Sequence, residues 1–221
     1  ADVDGGGIYN HAGTTTVDNS TVISNTAADD GGGLYNDDGT MSVEASTVSV
    51  NIADGDGGGI YNHATLYVQD STIGGAGAGN SANYGGGIHN FDGQTTIDNS
   101  TISANKATHG GGIYSHYAAT LNVVNGSTVG GAGAGNTATS NGGGIYNGSG
   151  GTTTVDDSTV ISNTAGASGG GIFNDAAAPT YTGSAVSSIL APATLIVRNG
   201  STIGGDGVGN AATVNGGGIY N

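Results

Sequence analysis

A single block, Gly-Gly-Gly-aliphatic-aromatic-Asn, starts at Gly5, Gly31, Gly57, Gly85, Gly110, Gly142, Gly169 and Gly216, with His89, Phe173 and Ser115 as its small deviations. The steps between blocks are 26, 26, 28, 25, 32, 27 and 47 residues. Repetition of this kind marks a supersecondary unit that cannot bury its own apolar face and does so by stacking on its neighbours. A step of about 26 residues suits one turn of a three-sided coil. The expected fold is therefore all-β, a parallel β-helix (β-solenoid) of about 26 residues per coil, with seven coils and a partial eighth.

The order inside each step supports strands. In the first coil, Thr14-Thr-Thr-Val-Asp-Asn-Ser-Thr-Val-Ile-Ser-Asn25 gives short β-branched runs and no period near 3.6. Stacking turns each recurring position into a column. Ile8, Leu34, Ile60, Ile88, Ile113, Ile145, Ile172 and Ile219 form one aliphatic column, and Val22, Val48, Ile73, Ile102, Val129, Val160 and Ile203 form another. An alanine column runs from Ala27 to Ala212. Asn25, Asn51, Asn80, Asn105, Asn136, Asn163 and Asn210 form an amide column, expected at a corner where amides bond to each other and to turn backbone.

Composition fits a stacked chain better than a packed globule. Gly supplies 47 of 221 residues, Trp is absent and Phe occurs twice, so a core of large side chains cannot be assembled. Lys106 and Arg198 are the only basic residues in a chain of net charge −15, which leaves no footprint for nucleic acid or an anionic membrane. Cys is absent, which removes disulfides and thiol chemistry. No stretch approaches the roughly 20 apolar residues of a membrane helix. The chain opens on Ala1, stops within a block at Asn221 and shows no polar cap at either end. Residues 1–221 are read as a single uncapped β-solenoid segment of a longer array, interrupted by a loop insertion at 175–193.

The Gly-Gly-Gly-Ile-Tyr-Asn block at Gly57 to Asn62, the Ser-Thr-Ile that follows it and the later Asn-x-Ala resemble the right-handed parallel β-helix repeats of bacterial surface proteins. The resemblance is closest to the polymorphic outer-membrane protein family, with Gly where that family uses Ala and Tyr in place of most Phe. It covers essentially the whole chain and implies an exported adhesin or stalk at the cell surface.

Several features invite a functional reading. Strand alternation is expected to turn Tyr9, Tyr35, Tyr61, Tyr114, Tyr146, Phe173 and Tyr220, with His89 completing the column, outward as an interaction stripe; rings stacked inside or sheltered by turns are the alternative. Asp2, Asp4, Asp29, Asp30, Asp54 and Asp56 place carboxylates before the first three blocks, and Asp4, Asp30 and Asp56 in one column are either a calcium site or a solvated acidic edge. Gly-Gly-x-Gly-x-Gly-Asn at Gly74, Gly130 and Gly204 looks like the calcium nonapeptide of secreted toxins but lacks its Asp, leaving a flexible glycine ridge as the expectation. Asn19, Asn99, Asn125, Asn147 and Asn199 carry the glycosylation triplet.

Catalysis finds little support. Lys106 and Arg198 stand about three coils, roughly 14 Å, apart and cannot share a lyase site. The pairs Asp37-Asp38 and Asp156-Asp157 do not suggest the converging carboxylates of a glycosidase. An ice-binding face would need a regular column, yet Thr16, Ser42, Tyr67, Thr96, Asn122, Thr154 and Ile196 is irregular. The expected function is structural and extracellular: a filament or fibre built by head-to-tail and lateral self-association. The alternative is an adhesin stalk that binds glycans or proteins, with no cofactor required beyond the calcium considered above.

Overall fold

The computed structural model describes residues 3–175, 191–205 and 207–221. Short β-branched runs form strands, and residues tolerant of positive φ turn the chain between them. The result is an all-β parallel β-solenoid with about 27 residues per turn. Among the described residues the first sheet has eight strands, from Ile8–Asn10 through Leu34–Asn36 and Ile60–Asn62 to Ile219–Tyr220. Seven strands of up to five residues, beginning at Thr14–Asp18 and Thr40–Glu44, form the second sheet, and seven beginning at Thr21–Ile23 and Thr47–Ser49 form the third. A fourth row holds two-residue strands such as Thr26–Ala27 and Lys106–Ala107.

Among the described residues every strand pairing is parallel and joins like positions, for example Ile8↔Leu34, Val17↔Val43 and Val22↔Val48. Both aliphatic columns point inward, and Leu34, Ile60, Ile73, Ile88, Ile102, Ile113, Ile145 and Ile172 are fully buried. The second sheet adds Met41, Val43, Leu66, Ile97, Leu121 and Val123, so three inner faces meet in one core. Each such side chain contributes about 1.5–3 kcal/mol, which offsets the scarcity of aromatic core residues. The alanine column closes the fourth side, with Ala27, Ala53, Ala107, Ala138 and Ala165 buried.

The corners are made by polar ladders. Between the second and third sheets, Asn19, Ala45, Asp70, Asn99, Asn125, Asp157 and Asn199 all have φ between 44° and 54°, a region that Asn and Asp enter more readily than most residues. Ser46 Oγ then donates to Glu44 O (2.6 Å) and accepts from Ser20 N (2.9 Å), a pattern repeated at Ser71 and Ser100. At the next corner the predicted amide ladder is present: Asn51 Nδ2 donates to Asn80 Oδ1 (3.0 Å), and Asn80 Nδ2 to Asn105 Oδ1 (2.9 Å).

The sequence reading did not separate out a second amide ladder, at the corner after the first sheet. There Asn10 Nδ2 donates to Asn36 Oδ1 (2.8 Å) and Asn36 Nδ2 to Asn62 Oδ1 (2.7 Å). It breaks at Ser115, whose hydroxyl accepts from Asn90 Nδ2 at 3.3 Å, while Asn147 Oδ1 in the following coil is buried without a partner. Ser115→Asn should supply the missing amide donor. We expect a gain of about 1 kcal/mol, since one buried acceptor becomes satisfied, measurable as a rise in the chemical denaturation midpoint.

Candidate functional site

The outer face of the first sheet collects the chemically capable side chains. Alternation along Ile8-Tyr9-Asn10 sends the flanking residues inward and the ring outward, and in-register pairing stacks the rings coil upon coil. Tyr9 and Tyr35 stack at 4.9 Å, and Tyr35 and Tyr61 at 4.7 Å. His89 meets Tyr61 and Tyr114 edge-on, and stacking resumes from Tyr114 through Tyr146 and Phe173 to Tyr220 at 4.6, 4.8 and 5.1 Å.

The column is outward in direction but is not an open stripe. Tyr9 is 47% and Tyr220 38% exposed, whereas Tyr61 is 8% and His89 1% exposed. Tyr35, Tyr114, Tyr146 and Phe173 are half-buried. The physical reason is shelter from both sides: one flank carries the residue before each block, the other the residue after it. Tyr84 packs on Tyr114 at 5.0 Å, and His116 packs on Tyr114 at 4.7 Å from the opposite flank. Burial pushes the Tyr35, Tyr61, Tyr114 and Tyr146 hydroxyls above the ordinary tyrosine range, so they stay neutral donors.

The preceding flank holds the acidic column. Asp30 N donates to Asp4 Oδ1 (3.2 Å) and Asp56 N to Asp30 Oδ1 (2.7 Å), so each carboxylate accepts from the backbone of the next coil. Ligand oxygens of Asp4, Asp29 and Asp30 lie within 4.8 Å of one another. This all-oxygen set has the donor chemistry that calcium takes. Asp56, expected to belong with Asp4 and Asp30, instead faces His89, whose Nδ1 is 3.2 Å from Asp56 Oδ2 without forming a hydrogen bond. Asp29 takes its place in the cluster, and Asp2 lies outside the described residues.

Burial, reinforced by the charges of Asp56, Asp29 and Asp4 and opposed by the Asp56 amide, raises the Asp30 carboxyl to about 6 from 3.8. A carboxyl that binds its proton more tightly when folded contributes stability that is fully present below about pH 3.8 and is lost as the pH rises through about 6. Asp30→Asn keeps an oxygen for the Asp56 amide and removes the titration. The variant should therefore be more stable than the parent at pH 7 and should lack the parent's loss of stability between those two pH values, as followed by denaturation at a series of pH values.

All five histidines lie on this face. His89 Nε2 and His116 Nε2 are 2.9 Å apart and share a hydrogen bond. Burial, with the neighbouring His89, holds His116 down at about 3, so it is neutral at physiological pH. His11, Asp37, His63, Phe91 and His116 follow the block in successive coils. His11 Nδ1 is 2.7 Å from Asp37 Oδ2, and His63 Nδ1 is 3.8 Å from Asp37 Oδ1. Asp37 is held below the usual carboxylate range, first by its bond to His11 and then by one from Tyr9, against the opposing effect of burial. Sequence reading missed this column. Writing out the residue that follows each block would have found it, because its period is the same as that of the tyrosines.

Away from this face, Asn19, Asn99, Asn125 and Asn199 sit at the left-handed corner position, which accounts for Asn there without reference to glycans. Asn147, in contrast, is fully buried and donates to Asn174 Oδ1 at 2.7 Å, so it is not an acceptor in the folded protein. The glycine ridges close by a common turn: Ala78 N donates to Gly75 O (2.9 Å) and Ala134 N to Gly131 O (3.0 Å). Between them lies a groove of about 540 Å³ lined by Val50, Ile52, Lys106 and the ridge glycines. Arg198 Nε donates to Asp156 Oδ2 at 2.9 Å. In the irregular threonine column, Tyr67 and Ile196 are exposed. Within the insertion at 175–193, residues 176–190 lie outside the described residues; at its ends Ala193 N donates to Asp175 O at 3.2 Å.

Comparison of the chain with protein-family models, with curated proteins and with solved structures found no match to any of them.

Proposed function

We propose that this chain is a structural element of an extracellular filament or fibre, working through ladder cohesion and side-to-side contact rather than through catalysis. The observation that carries the reading is the uniform parallel register, in which backbone, amide, serine and ring ladders all run along one axis. Such a rod carries load through many hydrogen bonds at each coil interface and gains stability as coils are added. Its repeat resembles that of the polymorphic outer-membrane proteins, which supports placement at a cell surface.

An adhesin stalk is the second reading, favoured by the groove between the glycine ridges. That groove combines apolar Val50 and Ile52 with the cation Lys106, a suitable lining for a glycan or peptide bearing a carboxylate. Electron microscopy of native, unheated material from the producing cells, with and without a calcium chelator, tests the first reading. Filaments with an axial repeat of about 4.8 Å per coil are expected. Rods that stay short and monomeric at high concentration would move the assignment to the stalk.

A further inference from the structure

We propose that His11, Asp37 and His63 form a surface site for a divalent transition-metal ion, zinc above all, that joins three successive coils. One ligand comes from each coil, at steps of about 4.8 Å, and the frame beneath them is fixed by main-chain bonds from Asp37 N to Asn10 O (2.9 Å) and from His63 N to Asn36 O (2.8 Å). Asp37 lies between the imidazoles and offers a separate oxygen to each, with His11 Nδ1 at 2.7 Å from Oδ2 and His63 Nδ1 at 3.8 Å from Oδ1.

The donor set selects the ion. Two imidazole nitrogens and one carboxylate oxygen suit zinc and its neighbours, whereas calcium and magnesium take oxygen almost exclusively. Three protein ligands leave a fourth tetrahedral position for water, the composition of an open zinc site. Ligand bonds of about 2.0–2.2 Å require the two rings to swing toward a point above Asp37. They have the freedom to do so, since the His11 side chain is 74% and that of His63 44% exposed, while Asp37 is 27% exposed and accepts a bond from Tyr9 Oη at 3.3 Å.

The surroundings favour a cation. Tyr9 stacks on His11 at 6.3 Å and Phe91 meets His63 edge-on at 5.5 Å, so aromatic walls flank both imidazoles. The chain's net charge of −15 draws dications to the surface. The exposed His–Asp contacts are themselves worth little to stability, so a metal ion has little to displace when it binds.

Calorimetric titration of chelator-treated protein with zinc chloride tests the site. One equivalent is expected to bind saturably. His11→Ala, His63→Ala and Asp37→Asn should each weaken it at least about tenfold, since losing even an outer-sphere partner commonly costs 10–100-fold, and His109→Ala should leave it unchanged. Cobalt(II) should give visible bands of tetrahedral type that His63→Ala abolishes. Circular dichroism verifies folding, which these exposed substitutions leave intact. Absence of saturable zinc binding would overturn the proposal. So would binding that survives both His11→Ala and His63→Ala, which would assign the ion to the His89–His116 pair or to the Asp4, Asp29 and Asp30 cluster.

Discussion

Asn105→Ala is expected to destabilise the middle of the solenoid by about 4 kcal/mol, because four hydrogen bonds are lost from a buried corner at about 1 kcal/mol each. Asn105 Oδ1 accepts from Asn80 N and Asn80 Nδ2, both at 2.9 Å, and Asn105 Nδ2 donates to Ile73 O (2.9 Å) and Asn136 Oδ1 (3.1 Å). Alanine removes both ends of the amide, so Asn80 N and Ile73 O lose their bond to it, while Asn80 Nδ2 keeps Val48 O (3.0 Å) and Asn136 Oδ1 keeps the residue-105 amide (3.0 Å). Asn105→Asp isolates the donor half: it keeps the accepting oxygen, loses the bonds to Ile73 O and Asn136 Oδ1 and buries a charge, so it should be at least as damaging. Hydrogen exchange should show the loss concentrated in the coils that Asn80, Asn105 and Asn136 connect, with the distant coils protected longer, because neighbouring coils are coupled more strongly than distant ones. A uniform small loss would mean that the ladder is ornamental to stability.

The second large effect is steric. Gly111→Ala should cost at least about 3 kcal/mol, at or beyond the upper end of ordinary overpacking. A Cβ on Gly111 would lie 2.5 Å from Thr137 O and 2.6 Å from Gly143 O, both backbone atoms of the next coil that cannot rotate away. To admit the methyl group the coils would have to separate, and the main-chain bond from Gly111 N to Gly142 O (3.0 Å) would lengthen with them. Gly209→Ala is the matched control. Among the described residues it has no atom within 4 Å of the new Cβ, and it has no positive φ, so its stability should change little or rise slightly through reduced freedom of the unfolded chain. Parallel denaturation of the two variants separates a packing role for glycine from a merely compositional one.

These two residues also show what could be read from sequence. Asn105 belongs to a column visible by spacing alone, and both its burial and its bonding follow from stacking, so the ladder was legible before any coordinates. The triple glycine was legible as a marker but not as a mechanism. Gly110 takes φ of 61°, whereas Gly111 is needed because backbone from two neighbouring strands crosses its Cα, and no rule of local sequence reports a clash with a residue 26 positions away. The aromatic column was legible in its direction, since alternation fixes that, but not in its exposure. Tyr61 and His89 are covered by side chains from the residues that flank the block, whose identities vary from coil to coil. For the same reason the His11, Asp37 and His63 set escaped notice: its members differ in type, and only their shared position joins them.

The like-with-like register carries a further consequence for how such a chain changes over generations. Val43 pairs with Val17 on one side and Val68 on the other, so excising one complete coil would bring Val17 opposite Val68 with the same chemistry and the same pitch. Recombination between repeats would therefore alter the length of the rod by whole increments while the backbone and aliphatic ladders stay in register. Length becomes a copy-number trait, adjustable without redesign of any interface, whereas a deletion of part of a coil shifts every column beyond it and is removed by misfolding.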